Sequence, residues 1–119
     1  MILVDTSIWI DHLNKGNALL KTLLGNGDVL MHPYVMGEIA CGNLNNRKEI
    51  LSLLHALPQI NKADDDEVLF YSEKHKLLGL GIGLIDIHLL ASCKLAKAKL
   101  LTKDRRLKDA AAGLNLLAG

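Results

Sequence analysis

Apolar residues along this chain fall into short unbroken runs and into longer stretches spaced three and four apart, which predicts strands and helices in alternation. Met1-Ile2-Leu3-Val4 predicts a strand that ends at Asp5-Thr6-Ser7, a cluster able to cap the helix expected over Ser7 to Asn14. Asn17 to Leu24 predicts a second helix, stopped by Gly25-Asn26-Gly27. Asp28 to His32 reads as a strand, and Pro33 suits the first turn of a helix running to Cys41. Asn46 to Leu57, with Ile50, Leu53, Leu54 and Leu57 on one stripe, predicts an amphipathic helix that Pro58 ends. Gln59 to Ala63 is a connector. Asp64-Asp65-Asp66-Glu67 sets negative charge at the positive end of the next helix, continued by Val68, Leu69, Tyr71, His75 and Leu78. Gly79, Gly81 and Gly83 give a flexible approach to a helix that carries Asp86 and runs to about Ala98. Lys99 to Thr102 predicts a strand, Asp104 caps a last helix to about Ala112, and Leu114 to Leu117 adds a short edge strand. Short strands alternating with helices make an α/β fold around a small, mostly parallel sheet.

At 119 residues, half of them hydrophobic, residues 1–119 are expected to form one domain with a single core. Aromatic residues are scarce, so aliphatic packing is expected and an RNA-recognition module built from stacking platforms is disfavoured. A formal net charge of +1 requires any nucleic-acid contact to come from local basic patches. Cys41 and Cys93 read as free thiols in a reducing compartment. Asp5 interrupts the first apolar run, which argues against a signal peptide, and Leu77 to Ile85 falls well short of the about 20 apolar residues that a bilayer needs. A cytoplasmic protein without a membrane span is expected.

The chemistry lies in the acids. Asp86 stands in Gly83-Leu84-Ile85-Asp86-Ile87-His88-Leu89-Leu90-Ala91-Ser92, where apolar neighbours leave little polar surface. An ionised Asp removed from water costs several kcal/mol unless charge or hydrogen bonds compensate it. Asp5 closes the first strand and Asp104 follows Leu100-Leu101-Thr102, so both belong at the carboxyl edge of the sheet, where α/β proteins bind ligands. Glu38 is one acid among apolar neighbours in Tyr34-Val35-Met36-Gly37-Glu38-Ile39-Ala40. Each has a plainer alternative, helix capping for Asp5 and Asp104 and ordinary surface exposure for Glu38 and Asp86. Brought together, the four would repel one another unless a cation neutralised them, and all-oxygen ligation suits Mg²⁺ or Mn²⁺. Such an ion activates water and stabilises charge on a phosphoryl oxygen. Thr6, Ser7 and Thr102 flank the same strand ends, placed either to hold a water or phosphate oxygen or simply to cap helices.

Around the acids, Lys103, Arg105, Arg106 and Lys108 cluster near Asp104, and Arg47 and Lys48 follow the Glu38 helix. Arg47, Lys48, Arg105 and Arg106 are candidate RNA contacts, with solvated surface charge as the alternative. The five histidines show no zinc spacing and receive no catalytic role. Gly79-x-Gly81-x-Gly83 is neither a dinucleotide fingerprint nor a phosphate-binding P-loop. Two other classes stay open: a phosphoryl-transfer domain of the receiver or phosphatase kind, and a non-catalytic α/β interaction module whose acids only cap helices. Thr6 and Ser7 stand where the phosphatase motif needs a second Asp.

Four segments then share a resemblance. Leu3-Val4-Asp5-Thr6-Ser7-Ile8-Trp9-Ile10-Asp11-His12-Leu13, His32-Pro33-Tyr34-Val35-Met36-Gly37-Glu38-Ile39, Gly81-Ile82-Gly83-x-x-Asp86-x-His88-Leu89-Leu90-Ala91-Ser92 and Leu101-Thr102-x-Asp104-x-x-Leu107 resemble the PIN-domain ribonucleases, most closely the VapC toxins of prokaryotic toxin–antitoxin pairs. The resemblance implies a three-layer α/β/α sandwich and a Mg²⁺- or Mn²⁺-dependent endoribonuclease. It implies Asp5 and Asp86 as principal metal ligands, Glu38 as a further acid, Asp104 as a fourth and often indirect one, and Thr6 and Thr102 as supporting hydroxyls. It also implies a homodimer, a small antitoxin partner that covers the acidic pocket, and DNA contact only through that antitoxin. Leu80 departs from the basic residue expected between the glycines, which weakens the case for a substrate contact there.

Overall fold

The computed structural model describes residues 1–119. Three parallel strands, β1 (Ile2–Val4), β2 (Val29–Leu30) and β3 (Lys99–Leu101), form a sheet in the order β2-β1-β3. Register is fixed by the pairs Ile2 with Val29, Ile2 with Lys99 and Val4 with Leu101. Successive side chains of a strand point to opposite faces, and Leu3 and Val4 both have zero exposure. Both faces of β1 are therefore covered, the arrangement of an α/β/α sandwich.

Seven helices surround the sheet: α1 (Thr6–Lys15), α2 (Ala18–Gly25), α3 (Pro33–Ala40), α4 (Arg47–His55), α5 (Asp65–Lys74), α6 (Leu84–Ala96) and α7 (Arg105–Gly113). The core of 26 buried residues draws on nearly all of them. Helix α6 is the most enclosed, with every residue from Ile87 to Cys93 buried. Its first turn is not, since Leu84 and Ile85 face solvent, so the apolar crowding expected on both sides of Asp86 begins only after it.

Several boundaries differ from the sequence pattern for identifiable reasons. Helix α5 stops at Lys74 and not at Leu78, because Lys76 takes a left-handed conformation with φ 55°. Helix α6 likewise ends at Ala96, before Lys97 at φ 55°. Helix α4 starts after Asn46, also left-handed, and is over before Leu57. The connector at Gln59 does more than connect: Met31 N–H donates to the Pro58 carbonyl and Ile60 N–H to the Met31 carbonyl, adding a parallel bridge at the β2 edge. The edge strand expected over Leu114 to Leu117 is a single parallel bridge from Leu117 to Leu100.

The sheet leaves β1 toward β2 on one side and β3 on the other, so the carboxyl end of β1 is a topological switch point. Asp5 stands there.

Candidate active site

Asp5 is buried at 6% exposure, and its N–H donates to the Leu101 carbonyl over 2.9 Å, tying β1 to β3. It occupies the N-cap position of α1 but its carboxylate caps nothing. Oδ2 instead accepts from Thr102 Oγ1 at 2.6 Å and from Ser7 Oγ at 2.8 Å. Each hydroxyl is held in turn by the next loop: Thr102 Oγ1 accepts from the Asp104 N–H at 3.1 Å and Ser7 Oγ from the Lys103 N–H at 3.2 Å. With their own protons committed to Asp5, both hydroxyls serve to orient its carboxylate. Asp5 Oδ1 has no protein partner and is not among the sealed, unpaired polar atoms, so it opens to solvent.

Glu38 is exposed on α3 and accepts from Thr6 Oγ1 at 2.6 Å, across 32 residues of sequence. Asp86 is half-buried in the first turn of α6, where Oδ2 accepts from the Gly83 N–H at 3.3 Å. Burial pushes its carboxyl above the ordinary range; that hydrogen bond opposes the shift, and the charges of Asp5, Asp104 and Glu38 add to it. The four acids, from β1, α3, α6 and the β3–α7 turn, therefore share one electrostatic neighbourhood. Asp104 also caps α7, with Oδ1 accepting from the Leu107 N–H at 3.1 Å. The capping alternative thus holds for Asp104 and fails for Asp5.

No three of these side chains, nor any other His, Cys, Asp or Glu group, close into a ready cage around an ion. Asp5 Oδ1 and the second oxygen of Asp86 are the carboxylate oxygens left without a protein partner, donors of the kind that a hard, largely hydrated cation takes.

The basic residues are less concentrated than their sequence positions indicate. Arg105 pairs with Asp109 at 3.7 Å on the exposed face of α7, and Lys103 with Asp11 at 3.1 Å. Arg47 Nη1 reaches back to the Gly42 carbonyl at 3.4 Å. Lys48 is exposed, and neither it nor Arg47 contacts an acid of the site. Arg106 packs beneath Gly81, where a Cβ would lie 2.6 Å from its Nη1. Gly81 has φ +77°, a conformation that L side chains rarely adopt, and its loop leads into the helix that carries Asp86. Gly81→Ala is expected to cost about 1 kcal/mol in urea unfolding. Adding Arg106→Ala should recover only the steric share of that cost, and full recovery would show that φ is not strained.

Two residues outside the acid set brace α3. His32, fully buried, caps this helix through Nδ1, which accepts from the Tyr34 N–H at 3.0 Å. Its proton therefore sits on Nε2, facing Ser92 Oγ at 3.3 Å, and Ser92 also accepts from the Ala63 N–H. Burial first, then the nearby His88 and Lys62, depress the His32 pKa from 6.5 to about 4. As pH falls below 6.5 the unfolded chain binds a proton that the folded chain refuses until about pH 4, so stability present at neutral pH is lost across that window. The loss should reach about 3 kcal/mol. Urea unfolding at neutral pH and at about pH 4.5 measures it. His32→Asn, which keeps a capping side chain, should flatten the profile, and an unchanged profile would place the acid sensitivity elsewhere. The sequence pattern gave this histidine no role, although its place directly before Pro33 at a helix start was the available signal.

Known proteins resemble this chain in sequence and in fold. Residues 2–113 match the family model described as PIN domain. Ribonuclease VapC32 of Mycobacterium tuberculosis, from two strains, is 44% identical over 113 residues, covering 94% of this chain and 91% of that protein. The chain therefore belongs to the PIN-domain family, among its VapC-type ribonucleases. Solved structures share the fold at low identity. PAE2754 from Pyrobaculum aerophilum has a TM-score of 0.66 at 15% identity, covering 92% of this chain and 83% of its own. FitAcB from Neisseria gonorrhoeae has a TM-score of 0.65 at 18% identity, with 94% of each chain covered. FitAB bound to an IR36 DNA fragment gives 0.62 at 18%, covering 94% of this chain and 91% of that one.

Proposed function

We propose that this chain is a Mg²⁺- or Mn²⁺-dependent endoribonuclease and the toxin of a toxin–antitoxin pair. The observation that carries the proposal is the placement of acids from four separate parts of the chain around the carboxyl end of β1: Asp5 held by Thr102 and Ser7, Glu38 held by Thr6 next to Asp5, Asp104 hydrogen-bonded to Thr102, and Asp86 in the first turn of α6, whose raised carboxyl is consistent with the other three lying nearby. Fixed repulsion of this kind lowers stability, and a cation-dependent reaction gives it a purpose. Asp5 and Asp86 would hold the ion, with Glu38 close by and Asp104 acting at longer range while it caps α7. The ion, when bound, supplies water activation and neutralises charge on the phosphate. Thr102 and Ser7 keep Asp5 turned toward the site, Thr6 does the same for Glu38, and the glycine loop sets the first turn of α6.

Arg47, Lys48, Arg105 and Arg106 remain candidates for the RNA backbone. Arg105 must exchange Asp109 for phosphate, a small cost for an exposed pair. Within the same proposal, the active form is a homodimer in the cytoplasm, silenced by a small antitoxin through which DNA is reached. The likeness to FitAB bound to DNA supports that partner. No helix is long and apolar enough to cross a membrane.

Incubating the purified chain with total RNA, with Mg²⁺ and with excess EDTA, tests the activity. Endonucleolytic products that vanish with EDTA are expected. Products that persist would remove the metal mechanism, and none under any condition would favour an interaction module.

A further inference from the structure

A trough of about 510 Å³ lies along the outer face of α3, lined by Pro33, Tyr34, Gly37, Glu38, Cys41 and, from α6, Ile85. Tyr34, Glu38 and Cys41 are four and three residues apart, so they stand in one row on that helix. Glu38 thus belongs both to the acid cluster and to the trough. Beside Tyr34, outside the trough's lining, the ammonium of Lys62 stands 5.1 Å from the centroid of the Tyr34 ring, against which His88 packs edge-on at 4.8 Å and His32 tilted at 5.3 Å. Glu38, the Tyr34 ring and the Lys62 ammonium follow one another, an acid, an aromatic surface and a cation, in the order in which a nucleotide presents phosphate, base and the next phosphate. Gly37 keeps the floor clear: it sits inside a helix, where glycine costs about 1 kcal/mol relative to alanine, yet a Cβ there would meet nothing within 4 Å. Packing does not require that glycine.

We propose that this trough seats the nucleobase next to the cleaved phosphate, with Tyr34 as its stacking surface and Lys62 on the neighbouring phosphate. Its floor is one aromatic ring with aliphatic neighbours, which grips a base through its π-face and is tolerant of base identity. The charge pattern favours a nucleic acid over a second protein chain, because the Tyr34 ring lies between the Lys62 cation and the acids that would hold a metal. The assignment rests on the ribonuclease reading, but its test does not depend on turnover.

Cys41 reports on the trough directly. It is exposed at the trough wall, whereas Cys93 is buried with its thiol pushed up to about 12 and stays silent. The rate of Cys41 alkylation by N-ethylmaleimide, followed by mass spectrometry in the presence of Mg²⁺, is compared with no addition, with nuclease-resistant phosphorothioate tetranucleotides, and with the abasic backbone of equal length. The bases are expected to slow alkylation about fivefold or more beyond the abasic backbone. Gly37→Leu, whose Cβ has open space around it, should fill the trough and erase that difference, and Tyr34→Ala should reduce it and raise KM for RNA about tenfold with little change in kcat. Equal protection by the abasic backbone, or none, overturns the base seat even if the chain cleaves RNA. A Gly37→Leu chain that sediments at half the wild-type mass also overturns it, by making the trough a contact between copies. Base-dependent protection in a chain that cleaves no RNA would instead remove the ribonuclease reading and leave the seat standing.

Discussion

Asp5→Asn should abolish detectable RNA cleavage, a fall of at least about 100-fold in kcat/KM, while the chain stays folded. Asparagine keeps the shape and can still accept from Thr102 and Ser7, so the hydroxyl network survives while the negative charge is lost. Asp86→Asn should be equally damaging to cleavage and opposite in its effect on stability. Burial and three other acids hold the Asp86 carboxyl above its ordinary range, so the ionised form present at neutral pH is disfavoured by the fold. Its stabilising form is the protonated one, fully present below the unfolded value and lost as pH rises through the folded value. Removing the charge should therefore stabilise the metal-free chain modestly near neutral pH, an effect damped by solvent at a half-exposed group. Urea midpoints and RNA cleavage measured on the same samples check both signs. A variant that loses activity and stability together would make Asp86 a structural residue, and one that retains cleavage would remove it from the chemistry.

Thr102→Val gives the second large effect. Valine matches the shape of threonine at a site only 3% exposed, but it removes the 2.6 Å donor to Asp5 and the acceptor for the Asp104 N–H. Outer partners of metal ligands are typically worth 10–100-fold in metal affinity, and a loss of about that size in Mn²⁺ binding is expected here. The stability cost should be only about 1 kcal/mol, because the exposed Asp104 backbone can turn to water. Thr102→Ser restores the hydroxyl and should restore binding. If Thr102→Val binds Mn²⁺ like the parent, Thr102 does no more than pack.

Much of this was legible in the amino-acid sequence, and the failures have a common cause. The run from Ile2 to Val4 followed by Asp5, and the glycine approach to Asp86, are local signals, and the structure keeps them. Helix ends at Lys76 and Lys97 were invisible because both are left-handed lysines, where the sequence signal for such an ending is glycine or asparagine. The bridge from Met31 to Gln59 depends on a partner 28 residues away, which no periodicity reports. In the site, isolated acids within apolar runs were readable as candidates. Their division of labour was not: Asp5 and Asp104 are both N-cap aspartates in sequence, and only contacts to Ser7 and Thr102 separate the one that leaves its helix uncapped from the one that caps. Arg106 read as a surface cation because its packing against Gly81 is a tertiary fact.

Mn²⁺ titration, by electron paramagnetic resonance, of the parent chain and of Asp5→Asn and Asp86→Asn tests the joint action of these acids most directly. Saturable binding by the parent that either substitution weakens by about tenfold or more is the predicted outcome. Binding indifferent to both substitutions, or no saturable binding in the parent, would contradict it.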